Sequence, residues 1–148
     1  MELSILNRHI LKDIPSASGI DIIDGTIYII GDNTPWLFKL DEQYRVVKKF
    51  RIASAEELKD GKIPKPLKPD FEAMTSVGSG IKQEMLIFGS GSKSPQRDVL
   101  VRVNVNNPTN YKTHSLEKFY KTLSAAAKLN AGELNIEGAV ADDEHLYL

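Results

Sequence analysis

The chain has 148 residues, 41% hydrophobic and 26% charged, with a net charge of −1 and no cysteine. That length suffices for one domain with a sizeable core. The balanced charge excludes the basic excess of a nucleic-acid binder, and no apolar run approaches the roughly 20 residues that cross a bilayer. Absence of cysteine excludes disulfides and thiolate metal centres. The start, Met1-Glu2-Leu3-Ser4-Ile5-Leu6-Asn7-Arg8-His9, has no basic region leading into an apolar core, so the default expectation is cytoplasmic. A periplasmic or secreted protein shorn of its signal peptide would look the same.

Residues 3–14 read as an extended segment ended by Pro15, suited to closing a ring of sheets by completing the last one. Residues 17–52 then carry four short strands, Gly19–Ile23, Thr26–Gly31, Trp36–Leu40 and Arg45–Ile52. Asp24-Gly25 between the first two is a hairpin turn, because both central residues of a type I′ turn need positive φ. Residues 54–69 break the pattern. Ser54-Ala55-Glu56-Glu57-Leu58 reads as a capped helical turn, and Pro64, Pro66 and Pro69 stiffen an extended crossing.

Residues 70–115 repeat the four-strand unit as Phe71–Val77, Glu84–Gly89, Asp98–Asn104 and Tyr111–His114. Between residues 116 and 129 the period changes. Leu116, Phe119, Tyr120, Leu123 and Ala127 share one face of an inserted helix, with Ser115 as N-cap. Residues 134–148 start a third unit.

The repeat shows in Asp70-Phe71-Glu72-Ala73-Met74 and Asn135-Ile136-Glu137-Gly138-Ala139, with a weaker copy at Ala17-Ser18-Gly19-Ile20. Ser18 to Tyr28 and Glu137 to Tyr147 are both ten residues, so those copies align without a gap. Copies of one β-unit at such a period predict an all-β fold, a β-propeller of four-stranded antiparallel blades. The chain then supplies an incomplete N-terminal part of it: two blades, the start of a third and one inserted helix. An open blade edge of that kind is a surface for association.

Propeller connectivity puts Glu72, Glu137, the 54–69 crossing, the 89–97 loop and the inserted helix on one rim, and insertions gathered on one face of a repeat protein point to binding. Glu72 and Glu137 occupy equivalent positions. As a carboxylate ring, with Asp32 as a third member, they suit a hard cation such as Ca²⁺, and either could act as a general base. Equally, glutamates there could accept backbone N–H groups from a neighbouring blade, although Ser18 in the first copy shows that building a blade does not demand an acid. The loop Gly89-Ser90-Gly91-Ser92-Lys93-Ser94-Pro95-Gln96-Arg97 offers Ser90, Ser92, Lys93 and Arg97 for a small anion, against the plainer reading of a solvated hairpin loop. Its glycine spacing is not that of a Walker A loop. His9, His114 and His145 show no ligand spacing.

Asp70-Phe71-Glu72-Ala73 and Asn135-Ile136-Glu137-Gly138 resemble the (D/N)-φ-E-(G/A) first-strand signature of phytase-like or esterase-like β-propellers. With Gly89-Ser90-Gly91-Ser92 and Arg97 they are similar to an uncharacterised bacterial propeller family in that group. The resemblance implies the fold, and in phytase-like members it implies rim carboxylates that bind calcium and basic residues that hold phosphate. Glu72 and Glu137 match the glutamate of the signature; no motif assigns a role to Arg97 or Lys93. Two functions follow as expectations: a non-catalytic module binding a small anion or a protein on one rim, and a metal-assisted phosphoester or ester hydrolase.

Overall fold

A computed structural model describes residues 4–54 and 58–148. The helical turn expected around Ala55, Glu56 and Glu57 lies outside the described residues. The first sheet contains β1 (Ala17–Ile23), β2 (Thr26–Gly31), β3 (Trp36–Leu40) and β4 (Val46–Arg51). The second contains β5 (Phe71–Val77), β6 (Glu84–Gly89), β7 (Val99–Asn104) and β8 (Tyr111–Ser115). Each is an antiparallel meander in sequence order. A helix, α1 (Glu117–Ala126), follows, and β9 (Val140–Ala141) pairs with β10 (Leu146–Tyr147). The protein is therefore mostly β, built on four-stranded antiparallel sheets with one α-helix. Among the described residues no helix is long and apolar enough to cross a membrane. Residues 4–11 join no strand, and most of them are exposed.

Both sheets are held by one core. Tyr28, Ile30 and Leu37 from the first interlock with Phe71, Met74, Met85 and Ile87 from the second. Full burial of each such side chain is worth about 1.5–3 kcal/mol. β1 lies against β5, so the first strands of the two units are neighbours. Ser18 Oγ ties them, donating a 2.5 Å hydrogen bond to the Phe71 carbonyl. The outer face of the second sheet is covered by Tyr120 of α1 and by Leu134 and Ile136, which pack on Ala73 and Phe88. The outer face of the first sheet takes Ile14, with Leu11 beside it.

The helix is shorter than its apolar pattern. Its N-cap is Leu116, while Ser115 Oγ accepts the Glu117 N–H at 3.3 Å. Only Tyr120 is fully buried, whereas Phe119 is 48% exposed. Leu116 and Leu123 pack partly beside Tyr120, so the stripe is covered over part of its length and Phe119 stays in solvent.

The two sheets enter their first strands identically. Ser16 and Asp70, each preceded by proline, have φ of 49° and 57°. The Asp32 N–H donates to the Ser16 carbonyl (3.1 Å), and the Ser90 N–H donates to that of Asp70 (2.9 Å). The register then slips in each strand, Ala17 and Gly19 facing Gly31 and Ile30 just as Phe71 and Ala73 face Gly89 and Phe88. Ser18 and Glu72 are thus the extra residues of two equivalent β-bulges, a device that re-aims a side chain. Glycine is required opposite: a Cβ on Gly31 would lie 2.5 Å from the Pro15 carbonyl oxygen, and one on Gly89 would lie 2.7 Å from that of Pro69.

Candidate functional site

The entry to β5 is the most charged buried place in the described structure. Asp70 is 5% exposed. Its Oδ1 pairs with Lys68 Nζ, and its Oδ2 lies 2.6 Å from an Arg97 guanidinium nitrogen and accepts the Ser90 hydroxyl at 2.7 Å. Lys68 Nζ also reaches Asp32 Oδ2 at 2.5 Å, so one ammonium bridges the rims of both sheets. Ser92 completes the network, its Oγ 2.8 Å from that of Ser90 and accepting an Arg97 N–H at 2.7 Å. Burial disfavours the Asp70 anion, but hydrogen bonds from Lys68 and Ser90 and the two nearby cations outweigh it and hold its carboxyl below the usual value. Burial likewise works against the Lys68 charge, and the bonds to Asp32 and Asp70 overcome it, raising its pKa.

Glu72 is the opposite case. It makes no hydrogen bond among the described residues, and burial, then the charges of Asp70, Glu137 and Asp32, push its carboxyl up to about 7, with Lys68 offsetting only part. It is poised to hold or release a proton near neutral pH. One carboxylate oxygen each from Asp32, Asp70 and Glu72 lie within 4.8 Å of one another. Oxygen donors at that spacing suit a hard cation, but the Lys68 ammonium already bridges two of them.

The residues singled out from sequence are distributed as follows. Glu72 and Asp32 come together, and Asp70 completes their cluster. Glu137 is exposed and hydrogen-bonds Asn135 Nδ2, acting on Glu72 through its charge. Ser90, Ser92 and Arg97 converge on the Asp70 carboxylate, so their polar groups are directed inward. Lys93 is exposed, pairs with no acid among the described residues, and lines an open cleft of about 630 Å³.

That cleft separates the 91–94 loop from α1 and the 129–134 segment. Gly91 makes it tight: its φ is 74°, and a Cβ there would stand 2.8 Å from both Tyr120 and Leu134. Tyr120 donates its hydroxyl to the Gly89 carbonyl at 2.8 Å, which docks the helix on the loop, and burial followed by the Asp98 charge raises the phenol pKa. Asp98 lies in the cleft wall, 3% exposed.

Sequence reasoning missed three contributors. Lys68 carries no motif. Asp70 was visible only as the first letter of a repeated signature, and aligning Pro69-Asp70 with Pro15-Ser16 marks it as an acid the unit does not need. Asp98 aligns with Pro35: their carbonyls accept the equivalent N–H groups of Leu116 (2.7 Å) and Ile52 (2.9 Å).

No curated protein matches the chain. The model of a family described as "Family of unknown function (DUF6929)" matches residues 13–148, which takes in both sheets, the bulged entries to their first strands, the helix and the final hairpin. With nearly its whole length covered, the chain belongs to that family.

Proposed function

We propose that the protein is a β-propeller-type binding module, non-catalytic, that takes a small ligand on the rim built by the 58–69 crossing, the 89–97 loop and the 116–134 segment. The observation that carries this reading is the open cleft of about 630 Å³ beside a charge network that is satisfied internally. Small-molecule sites commonly have volumes of roughly 300–1,000 Å³ and few polar groups on a largely apolar wall. The sheets pack with first strands adjacent, as blades around an axis do. In the Asp70 network the Ser90 and Ser92 hydroxyls and Arg97 are engaged with one carboxylate that two cations already neutralise.

The test is saturation-transfer NMR of a fragment library against the full chain and an Ala125→Trp variant, which places a bulky ring on the exposed helix wall of the cleft. Binders that are lost in the variant are the expected result. A library without binders, or binders indifferent to the ring, overturns the reading.

One observation favours a second reading, a calcium-dependent phosphoester or ester hydrolase: the Asp32, Asp70 and Glu72 oxygens within 4.8 Å, with Glu72 at about 7 as a base. The resemblance of the Glu72 and Glu137 motifs to phytase-like propellers points the same way. This reading requires Lys68 to leave the cluster. Calorimetric calcium titration of wild type and Glu72→Gln/Glu137→Gln decides it. Saturable binding lost in the double variant supports a metal site, and no heat from folded wild type sinks it.

A further inference from the structure

A second carboxylate is buried on this rim, and it has no such network. Asp98 is 3% exposed, and its Oδ1 finds no hydrogen-bond partner among the described residues. A buried acceptor left unpaired costs free energy, and a water, an ion or a ligand group can supply the partner. Asp21, Asp32, Asn33 and Thr34 also carry such atoms, but among these residues only Asp98 lines this cleft. The sheet does not require it, because the equivalent position at the start of β3 is Pro35. Asp98 lines the cleft. The wall is largely apolar, with Tyr120, Leu134 and Ala125, and Ser124 and Asn130 add polar groups to it. At the mouth stand Lys93 and Lys121, both exposed and paired with no acid among the described residues, and Glu117 of the first helical turn. The lining therefore combines one buried anion, apolar side chains, and two exposed cations against one exposed anion.

We infer that this cleft binds a small amphipathic zwitterion, an amino-carboxylate whose ammonium group donates to Asp98 and whose carboxylate meets Lys93 and Lys121. A plain amine would satisfy Asp98 but face two lysines; a plain carboxylate would satisfy the lysines and leave Asp98 unpaired. A molecule carrying both groups on an apolar spacer answers the buried anion, the apolar side chains and the exposed cations together. This assignment rests on the binding-module reading and names the ligand class for its site.

The experiment is an amide-detected NMR titration of the full chain with 6-aminohexanoate, and separately with hexylamine and hexanoate. The zwitterion should give saturable shifts at residues 91–98 and 120–134, and each half-ligand should bind about tenfold or more weakly, as loss of one charge-assisted hydrogen bond demands. Asp98→Asn should weaken the zwitterion by about tenfold or more. Should Asp98→Asn fail to fold, Lys93→Gln/Lys121→Gln, confined to exposed side chains, must weaken it while leaving the melting temperature unchanged. Equal binding of hexanoate or hexylamine, zwitterion binding indifferent to these variants, or no saturable shift overturns the assignment. Library fragments that bind the cleft without preferring the zwitterion would sink it and leave the binding-module reading standing; a library with no cleft binder sinks both.

Discussion

The two sheets share a backbone and differ in charge. Each enters its first strand through proline and a residue of positive φ, bulges at the next residue but one, and closes against a glycine that has no room for a side chain. Into that frame the first sheet places Ser16, Ser18 and Pro35, and the second places Asp70, Glu72 and Asp98. The first sheet shows that the frame forms without acids at these three positions, while its own rim carries Asp32. The backbone does not demand the acids at these positions of the second sheet: Asp70 assembles cations and hydroxyls, Glu72 is held near its own titration point, and Asp98 lines the cleft with its Oδ1 unpaired among the described residues.

Substitutions at paired positions sharpen the contrast. Asp70→Ala removes the anion from beside Lys68 and Arg97 and should cost about 3–5 kcal/mol in urea unfolding, the usual penalty for orphaning buried partners. Ser16→Ala, at the same place in the first sheet, should cost less than about 1 kcal/mol, since its hydroxyl only accepts an exposed Asn33 amide. Equal losses would break the comparison. Lys68→Met should cost about 2–3 kcal/mol. It also vacates the place between Asp32 and Asp70, so calcium should raise the melting temperature of this variant and leave wild type unmoved.

Glu72 sets a pH signature with no counterpart at Ser18. Its folded-state pKa of about 7 is raised from 4.5, so its contribution to stability is full below pH 4.5 and is lost as pH rises towards and through 7. Glu72→Gln should flatten that slope and gain about 1–2 kcal/mol at pH 8, as read from denaturation curves across pH. The Asp70 effect has the other sign and lies below the ordinary carboxylate range, where acid removes what its depressed pKa supplies. A small effect is also expected of Ser18→Ala, about 1 kcal/mol for the hydrogen bond to the Phe71 carbonyl between the sheets.

Strand order was legible because alternating apolar residues and Asp24-Gly25 have local causes, and both sheets follow the expected four-strand units to within a residue or two at most ends. Glu72 stood out by its repetition, and Asp32 was expected beside it as a third rim carboxylate. The charge network was not legible. Lys68 reaches Asp32 across 36 residues of chain, and Arg97 reads as a free loop cation until Asp70 is seen beneath it. Positive φ at Asp70 and the bulge that turns Glu72 have no single-residue signature, so the inward aim of the Ser90, Ser92 and Arg97 cluster appears only in three dimensions. The third unit shows the opposite limit: its repeat motif is clear, yet only the short β9–β10 pair forms strands.

The most direct test is amide-detected NMR of the full chain with the cleft-binding fragments, comparing the two rims in one spectrum. Shifts confined to residues 90–98 and 117–134, with the equivalent residues 32–36 of the first sheet unmoved, are the predicted result. Shifts spread equally over both rims, or centred on the Asp24-Gly25 end of the first sheet, would contradict the claim that the acids of the second sheet mark the binding end of the molecule.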